Sequence, residues 1–256
     1  MNKNNCKVVI LAGGYGTRLG TLTKLKPKPM VDVCGKPIIE HIMQIYHRFG
    51  YSNFIICTGY KGEVIRNHFK KKFRKNILIN KKNNTFIKNG DLSIRIVDTG
   101  KKSLTGGRIK RIRKYVEEDK YFHMTYGDGL SNINIASLTK FHLMNKKLAT
   151  VTAVKIQVPQ ERFGVVYFKK RNVVKKFIEK PDLKKIFING GFFVLSNKIF
   201  KFIKNDQTRW EAKPMEKIAN KKQLAAFKHT GFWKCMDTIR DRKFLEKFKN
   251  KKLPWV

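Results

Sequence analysis

The stretch Val8-Val9-Ile10-Leu11-Ala12-Gly13-Gly14-Tyr15-Gly16-Thr17-Arg18-Leu19 decides how the rest of the chain is read. A buried-type apolar run stops at paired glycines, and a loop follows that carries Gly16, Thr17 and Arg18. Lys26-Pro27-Lys28-Pro29-Met30 comes a few residues later. In physical terms a strand delivers bare backbone and fixed cations to one place. Glycine lets backbone approach a ligand closely, and clustered backbone N–H groups form a concavity for anions. Arg offers a planar fork to phosphate oxygens and Lys a point charge. A plain strand-to-helix turn would explain the two glycines alone, but not the cations in register behind them.

Outward from that stretch, strands and helices alternate. Ile38, Ile42, Ile45, Tyr46 and Phe49 recur at helical spacing after Pro37, and Gly50 closes the helix. Asn53-Phe54-Ile55-Ile56-Cys57-Thr58 reads as a second buried strand, and residues 62–73 as a second helix. Strand–helix–strand–helix is the signature of a parallel α/β sheet. Residues 75–90 are Lys/Asn-rich and weakly patterned, and read as an excursion or flap. A strand returns at 92–97. Thr105-Gly106-Gly107-Arg108 reads as loop, with a helix after it that turns Ile109, Ile112, Tyr115 and Val116 inward; Glu117-Glu118-Asp119 near its end reads as a solvated helix end or as an offset to the neighbouring lysines. Tyr121-Phe122-His123-Met124-Thr125-Tyr126 is the next strand, ending in Gly127-Asp128-Gly129. An acidic residue at the carboxyl end of a buried strand stands where open α/β sheets bind ligands; a turn aspartate is the other reading of Gly-Asp-Gly.

The second half carries a helix over 134–144, a strand over 149–156 and a hairpin from 163–168 and 172–178. A strand over 186–195 follows, interrupted by Asn189-Gly190-Gly191. Glycines inside a strand mark a bulge or a close approach. Helices near 198–204 and 214–221, a strand at 224–228 and a last helix with Ile239, Phe244, Leu245 and Phe248 complete the pattern. His41 and His47, six apart, do not share a helix face and read as structural. With no repeat and no linker, the chain reads as one mixed α/β domain over 1–256, more antiparallel in its second half.

Composition bounds the function. The 256 residues are 41% hydrophobic, so the chain can bury a sizeable core. It carries 57 Lys and Arg against 18 Asp and Glu. Such an excess either binds a polyanion, nucleic acid or membrane, or reflects drift toward Lys, Asn, Ile and Phe. The cations are scattered, and there is no RNA-recognition signature, zinc-finger spacing or basic helix with a heptad. Drift is the simpler account, and no specific nucleic acid or membrane partner is expected. Cys6, Cys34, Cys57 and Cys235 form no C-x-x-C pair, which points to a reduced, cytoplasmic setting without zinc or disulfides. Cys57 and Cys235 sit in apolar runs and read as small core residues. No signal peptide or membrane-length apolar run is evident.

Asp128 and Asp237, each following a strand beside a glycine or aromatic turn, are the candidate ligands for Mg²⁺, which favours a few carboxylates plus phosphate oxygens and water. Arg18, Lys28 and the Gly13–Gly16 backbone would hold a triphosphate, and Lys180 would bring a second anion alongside. Phosphoryl-type transfer needs that set, because its catalysis is positioning plus charge neutralisation. The chain has neither the third glycine of a dinucleotide fingerprint nor a Walker Gly-Lys-Ser/Thr.

These residues resemble a known family. Leu-Ala-Gly-Gly-x-Gly-Thr-Arg-Leu followed by Lys-Pro-Lys-Pro-Met is similar to the signature of the sugar-1-phosphate nucleotidylyltransferases. Thr58-Gly59-Tyr60-Lys61-Gly62, Val97-Asp98-Thr99-Gly100, Thr105-Gly106-Gly107-Arg108, Tyr126-Gly127-Asp128-Gly129, Arg162-Phe163-Gly164, Glu179-Lys180-Pro181, Asn189-Gly190-Gly191 and Gly231-Phe232-Trp233 through Met236-Asp237-Thr238 resemble, in order, its cytidylyl-transferring branch that takes glucose 1-phosphate. The resemblance implies a Rossmann-like fold with a mixed, mostly parallel sheet flanked by helices. It implies Mg²⁺-dependent reaction of CTP with α-D-glucose 1-phosphate to CDP-glucose and pyrophosphate, in a homo-oligomer; use of UTP or dTTP is the alternative. It assigns Leu11, Ala12, Gly13, Gly14, Gly16, Thr17, Arg18, Lys28, Ser103, Thr105, Arg108 and Gly127 to the nucleotide. Glu179, Lys180 and Gly191 would face the sugar phosphate, and Asp128 and Asp237 the metal. The catalytic set is Arg18, Lys28, Asp128 and Asp237. Two departures are visible: Gly20-Thr21-Leu22-Thr23 stands where relatives often carry acidic residues, and 75–90 diverges.

Overall fold

The computed structural model describes residues 6–81, 83–155 and 187–256, with the strand backbones Val165–Phe168 and Val174–Ile178. Its centre is β1 (Lys7–Ala12), the apolar run of the opening stretch. Val8 and Ile10 point into one core and Val9 and Leu11 into the other, so the strand is covered on both faces. Such a strand has to be apolar at every position, which is why it reads as a run and not as an alternation.

Eight further strands join β1: β2 (Asn53–Thr58), β3 (Ile77–Lys81), β4 (Asn84–Asn89), β5 (Leu92–Asp98), β6 (Tyr121–Tyr126), β7 (Ala149–Lys155), β8 (Phe187–Ser196) and β9 (Leu224–His229). Their order is β9-β7-β8-β6-β1-β2-β5-β4-β3. β6, β1, β2 and β5 run parallel, and β7 pairs parallel with β9. β8 runs against β6 and β7, and β4 against β5 and β3. The sheet is therefore mixed, with four parallel and four antiparallel pairings, though seven of its nine strands run the same way.

One face is covered by α1 (Ile38–His47), α2 (Gly62–Lys72), α4 (Ile135–Asn145) and α6 (Ile239–Glu246) through Ile42, Ile65, Leu138 and Leu245. The other is covered by α3 (Thr105–Arg111) and α5 (Lys213–Asn220) through Ile109 and Ile218. β1 feeds β2 on one side through α1, and β6 enters on its other side. Strand order thus reverses between β1 and β6, and a crevice opens beyond their carboxyl ends.

Three expectations change. Within 75–90, Ile77–Lys81 and Asn84–Asn89 form β3 and β4, which extend the main sheet at its edge. Ile87 and Thr85 are buried on one side of β4 while Lys and Asn residues face out, so a two-residue period was present beneath the polar composition. Thr105-Gly106-Gly107-Arg108 lies inside α3, not before it. The stretch 198–204 forms the 3-10 helix Asn197–Phe202. Of the two readings of the acidic cluster, the offset to basic neighbours holds for Asp119, which takes Lys7 at 2.9 Å, and Glu117 takes Arg113 at 3.0 Å. His41 is structural, as its spacing suggested; its Nδ1 accepts from the Trp255 indole N–H at 3.1 Å, so Nε2–H donates to the Val33 carbonyl at 2.8 Å.

The two glycines of α3 are there for contact. A Cβ on Gly107 would lie 2.3 Å from the Asp206 carbonyl oxygen, and one on Gly106 2.7 Å from that of Thr208. Gly107→Ala therefore forces backbone apart and is expected to lower the unfolding free energy by ~1–3 kcal/mol in urea melts, the usual cost of overpacking.

Burial also sets an acid limit. Burial lowers the pKa of His142 to about 4, and burial with the charge of His142 lowers that of His123 to about 3. The unfolded chain protonates both below about pH 6.5 while the fold does not. Stability is thus complete above that pH and declines as pH falls toward the folded values, by ~1.4 kcal/mol per pH unit for each histidine. Denaturant midpoints should drop between pH 6 and pH 5.

Candidate active site

The crevice is built from the β1 loop upward. Gly13 follows the strand with its carbonyl held by the Tyr60 N–H at 3.2 Å and by Arg108 Nη2 at 2.8 Å. Gly16 adopts φ +66°, which turns the loop back toward Thr17–Leu19. Thr23 Oγ1 donates to the Gly16 carbonyl at 3.2 Å and keeps the turn in place. Arg108 is buried, and its other terminal nitrogen reaches Thr58 O, Thr99 Oγ1 and Gly100 O, each at 2.9 Å. Desolvation pulls its pKa down. A Cβ on Gly13 would meet the guanidinium at 2.1 Å. Arg108 therefore lines the crevice chiefly as a strut beneath the loop.

Lys28 enters through the one-turn helix Lys28–Met30, set by Pro27 and Pro29. Its ammonium lies 2.6 Å from Asp128 Oδ2 and 2.6 Å from Asp237 Oδ1. Burial opposes its charge, but Asp128 and then Asp237 outweigh that, and its pKa is raised. Arg18 Nη2 reaches Asp237 Oδ1 at 3.0 Å from an exposed position. Asp128 sits between β6 and the short strand Gly129–Ser131, which pairs with Trp233–Cys235 and so brings Asp237 alongside. The Met236 N–H donates to the Asp128 carbonyl at 2.9 Å and fixes that approach.

Two cavities share this centre. The larger, about 420 Å³, is lined by every residue the sequence assigned to nucleotide or metal: Leu11, Ala12, Gly13, Gly14, Gly16, Thr17, Arg18, Lys28, Ser103, Thr105, Arg108, Gly127, Asp128 and Asp237. Gly127 closes its floor, its N–H donating to the Leu11 carbonyl at 3.0 Å. The second, about 250 Å³, is lined by Asn189, Gly190, Gly191, Trp233 and Cys235. Arg18, Tyr126, Asp128 and Asp237 line both. Trp233 Nε1–H donates to the Gly190 carbonyl at 2.7 Å, so the glycines in β8 open that cavity's wall. Glu179 and Lys180 lie outside the described residues.

Lys26 turns away from the site and pairs with Asp32, so only Lys28 of the two lysines is delivered. Cys235 is not a core residue. Its Sγ and the carboxylate oxygens of Asp128 and Asp237 lie within 4.8 Å of one another. Burial, then Asp128, drive its thiol pKa far up, so it stays protonated. Tyr15, Lys101, Lys102 and Tyr126 also line the larger cavity without having been singled out. The signal for the lysines was the doublet before Ser103.

A crevice with a glycine loop, five cationic side chains and two convergent carboxylates can hold a polyphosphate and a divalent ion, with room beside them for a second substrate. The comparisons agree with that chemistry. The model of the nucleotidyl transferase family matches residues 7–239. The chain is 43% identical to a glucose-1-phosphate cytidylyltransferase of Salmonella typhimurium, over 97% of this chain and 98% of that one. It is 30% identical to mannose-1-phosphate guanyltransferase 2 of Candida glabrata, over 93% of this chain and 63% of that one. Among solved structures, HddC from Yersinia pseudotuberculosis superposes with a TM-score of 0.68 at 26% identity, covering 95% of this chain and 99% of that one. The chain belongs to the nucleotidyl transferase family.

Proposed function

We propose that this enzyme transfers the cytidylyl group of CTP to α-D-glucose 1-phosphate, giving CDP-glucose and pyrophosphate. The observation that carries this is the near-full-length, 43% identity to the Salmonella cytidylyltransferase. The crevice supports it with two adjoining cavities that share Arg18, Tyr126, Asp128 and Asp237. In this account the triphosphate lies on the Gly13–Gly16 backbone and Arg18, and Gly191, with Glu179 and Lys180, receives the sugar phosphate. A phosphate oxygen of glucose 1-phosphate attacks the α-phosphorus, and the bond to pyrophosphate breaks on the opposite side.

The donor set fits Mg²⁺. Two carboxylates from separate chain segments converge on one cationic position, and the thiol beside them is held neutral, which leaves hard oxygen ligands alone. Asp128 and Asp237 would hold the ion, whose chemistry is charge neutralisation on the phosphates. Lys28 keeps the two carboxylates together and remains charged. Arg18, exposed on the cavity wall, neutralises charge on the nucleotide. No helix among the described residues is long and apolar enough to cross a membrane. We infer from the reaction and its CTP donor that the enzyme works in the cytoplasm, and from its resemblance that it does so as a homo-oligomer.

Incubation with Mg²⁺, glucose 1-phosphate and each of CTP, UTP, dTTP and GTP should release pyrophosphate mainly with CTP. Equal release with all four, or release with UTP or dTTP alone, would reassign the base. Asp128→Asn and Asp237→Asn should each lower kcat at least ~100-fold, since a lost metal carboxylate removes several kcal/mol of charge stabilisation. Near-normal Mg²⁺-dependent rates would remove that residue from the metal site.

A further inference from the structure

The segment from Lys204 to Glu211 is strapped across the start of α3. The Leu104 N–H donates to the Asp206 carbonyl at 2.9 Å, and the Gly107 N–H to that of Thr208 at 3.2 Å. Arg111 holds the Asp206 carboxylate with two nitrogens. Gly106 and Gly107 let the strap lie directly on the helix. At its end the Trp210 N–H donates to Thr105 Oγ1 at 2.9 Å, and Thr105 O–H donates to Glu211 Oε2 at 2.6 Å.

The other oxygen of Glu211 accepts from the Tyr126 hydroxyl. Asn189 Oδ1 accepts the Gly191 N–H at 2.8 Å. The Tyr126 ring lies against Gly191, where a Cβ would fall 2.8 Å from Cδ2. A hydrogen-bonded chain thus runs Thr105–Glu211–Tyr126, and the contact of the Tyr126 ring with Gly191 carries it to the wall of the smaller cavity. Thr105 lines the larger cavity, Asn189 the smaller, and Tyr126 both, while Glu211 lines neither.

We infer that Glu211 is a positioning residue that couples the two halves of the crevice, so that filling the nucleotide cavity sets the wall of the sugar-phosphate cavity. This rests on the two-substrate reading above. A carboxylate suits the task because both its oxygens accept, and both neighbours are hydroxyl donors. Alanine cuts both links. Methionine, of similar length, also cuts both and keeps the volume.

The test is the KM for glucose 1-phosphate measured at a series of CTP concentrations. In the wild-type enzyme it should fall at least ~5-fold as CTP saturates, the low end of ordinary coupling between sites. In Glu211→Ala that dependence should vanish, while kcat with both substrates saturating changes by less than ~3-fold. Tyr126→Phe should flatten it too, and the double variant should be no worse than either single one, as members of one chain act. If Glu211→Ala melts below the assay temperature, Glu211→Met carries the same expectation. A wild-type KM that ignores CTP, a Glu211→Ala protein that keeps the wild-type dependence, or additive losses in the double variant would overturn the inference. If CTP is not the nucleotide the wild-type enzyme turns over, the titration uses the one that is, so a wrong base and an absent coupling give different records.

Discussion

The Lys28 ammonium between Asp128 and Asp237 is the contact on which the crevice depends. It joins residues 100 and 209 positions apart in the chain. Each carboxylate arrives by its own route, one from the carboxyl end of β6 and one from the segment after Trp233–Cys235. Without a cation between them, two carboxylates so close would repel. Lys28 is largely buried, so losing it would leave both charges poorly compensated. The same demand for a cation makes the pair suitable for a divalent ion.

The fold brings these groups together through the reversal of strand order between β1 and β6. Every neighbouring strand that ends there contributes. β1 gives the glycine loop, β2 the Thr58 carbonyl under Arg108, and β6 gives Tyr126 to Asp128. Arg108 ties the ends of β1, β2 and β5 from below, which makes the loop a supported surface. Preorganisation of this kind lets backbone donors act on phosphates without rearranging first.

Much of this was legible in the sequence, for physical reasons. A strand covered on both faces has to be apolar throughout, so β1, β2 and β6 were readable nearly to the residue. Gly13, Gly16 and Gly127 stand where Arg108, a left-handed turn and Pro29 leave no freedom for a side chain. Other features depend on contacts that no local pattern encodes. Gly106 and Gly107 suggested a loop by propensity, but they lie in a helix because the segment at Asp206–Thr208 needs the space. Lys26 and Lys28 look equivalent in Lys-Pro-Lys-Pro, and only the fold sends one to Asp32 and the other to the site. Cys235 reads as core until the pairing of Trp233–Cys235 with Gly129–Ser131 sets it beside two carboxylates. The surplus of Lys over acids obscured the edge strands of 75–90, whose alternation survives in Thr85 and Ile87.

In the proposed reaction one crevice, divided by Arg18, Tyr126, Asp128 and Asp237, holds nucleotide on one side and sugar on the other. The most direct measurement is a crystal structure with CDP-glucose bound. The account predicts cytidine and its phosphate over Gly13–Gly16, glucose against Gly191 and Trp233, and the diphosphate beside the two carboxylates. A product lying wholly within the glycine-loop cavity, or a glucose bound away from Gly191, would contradict it.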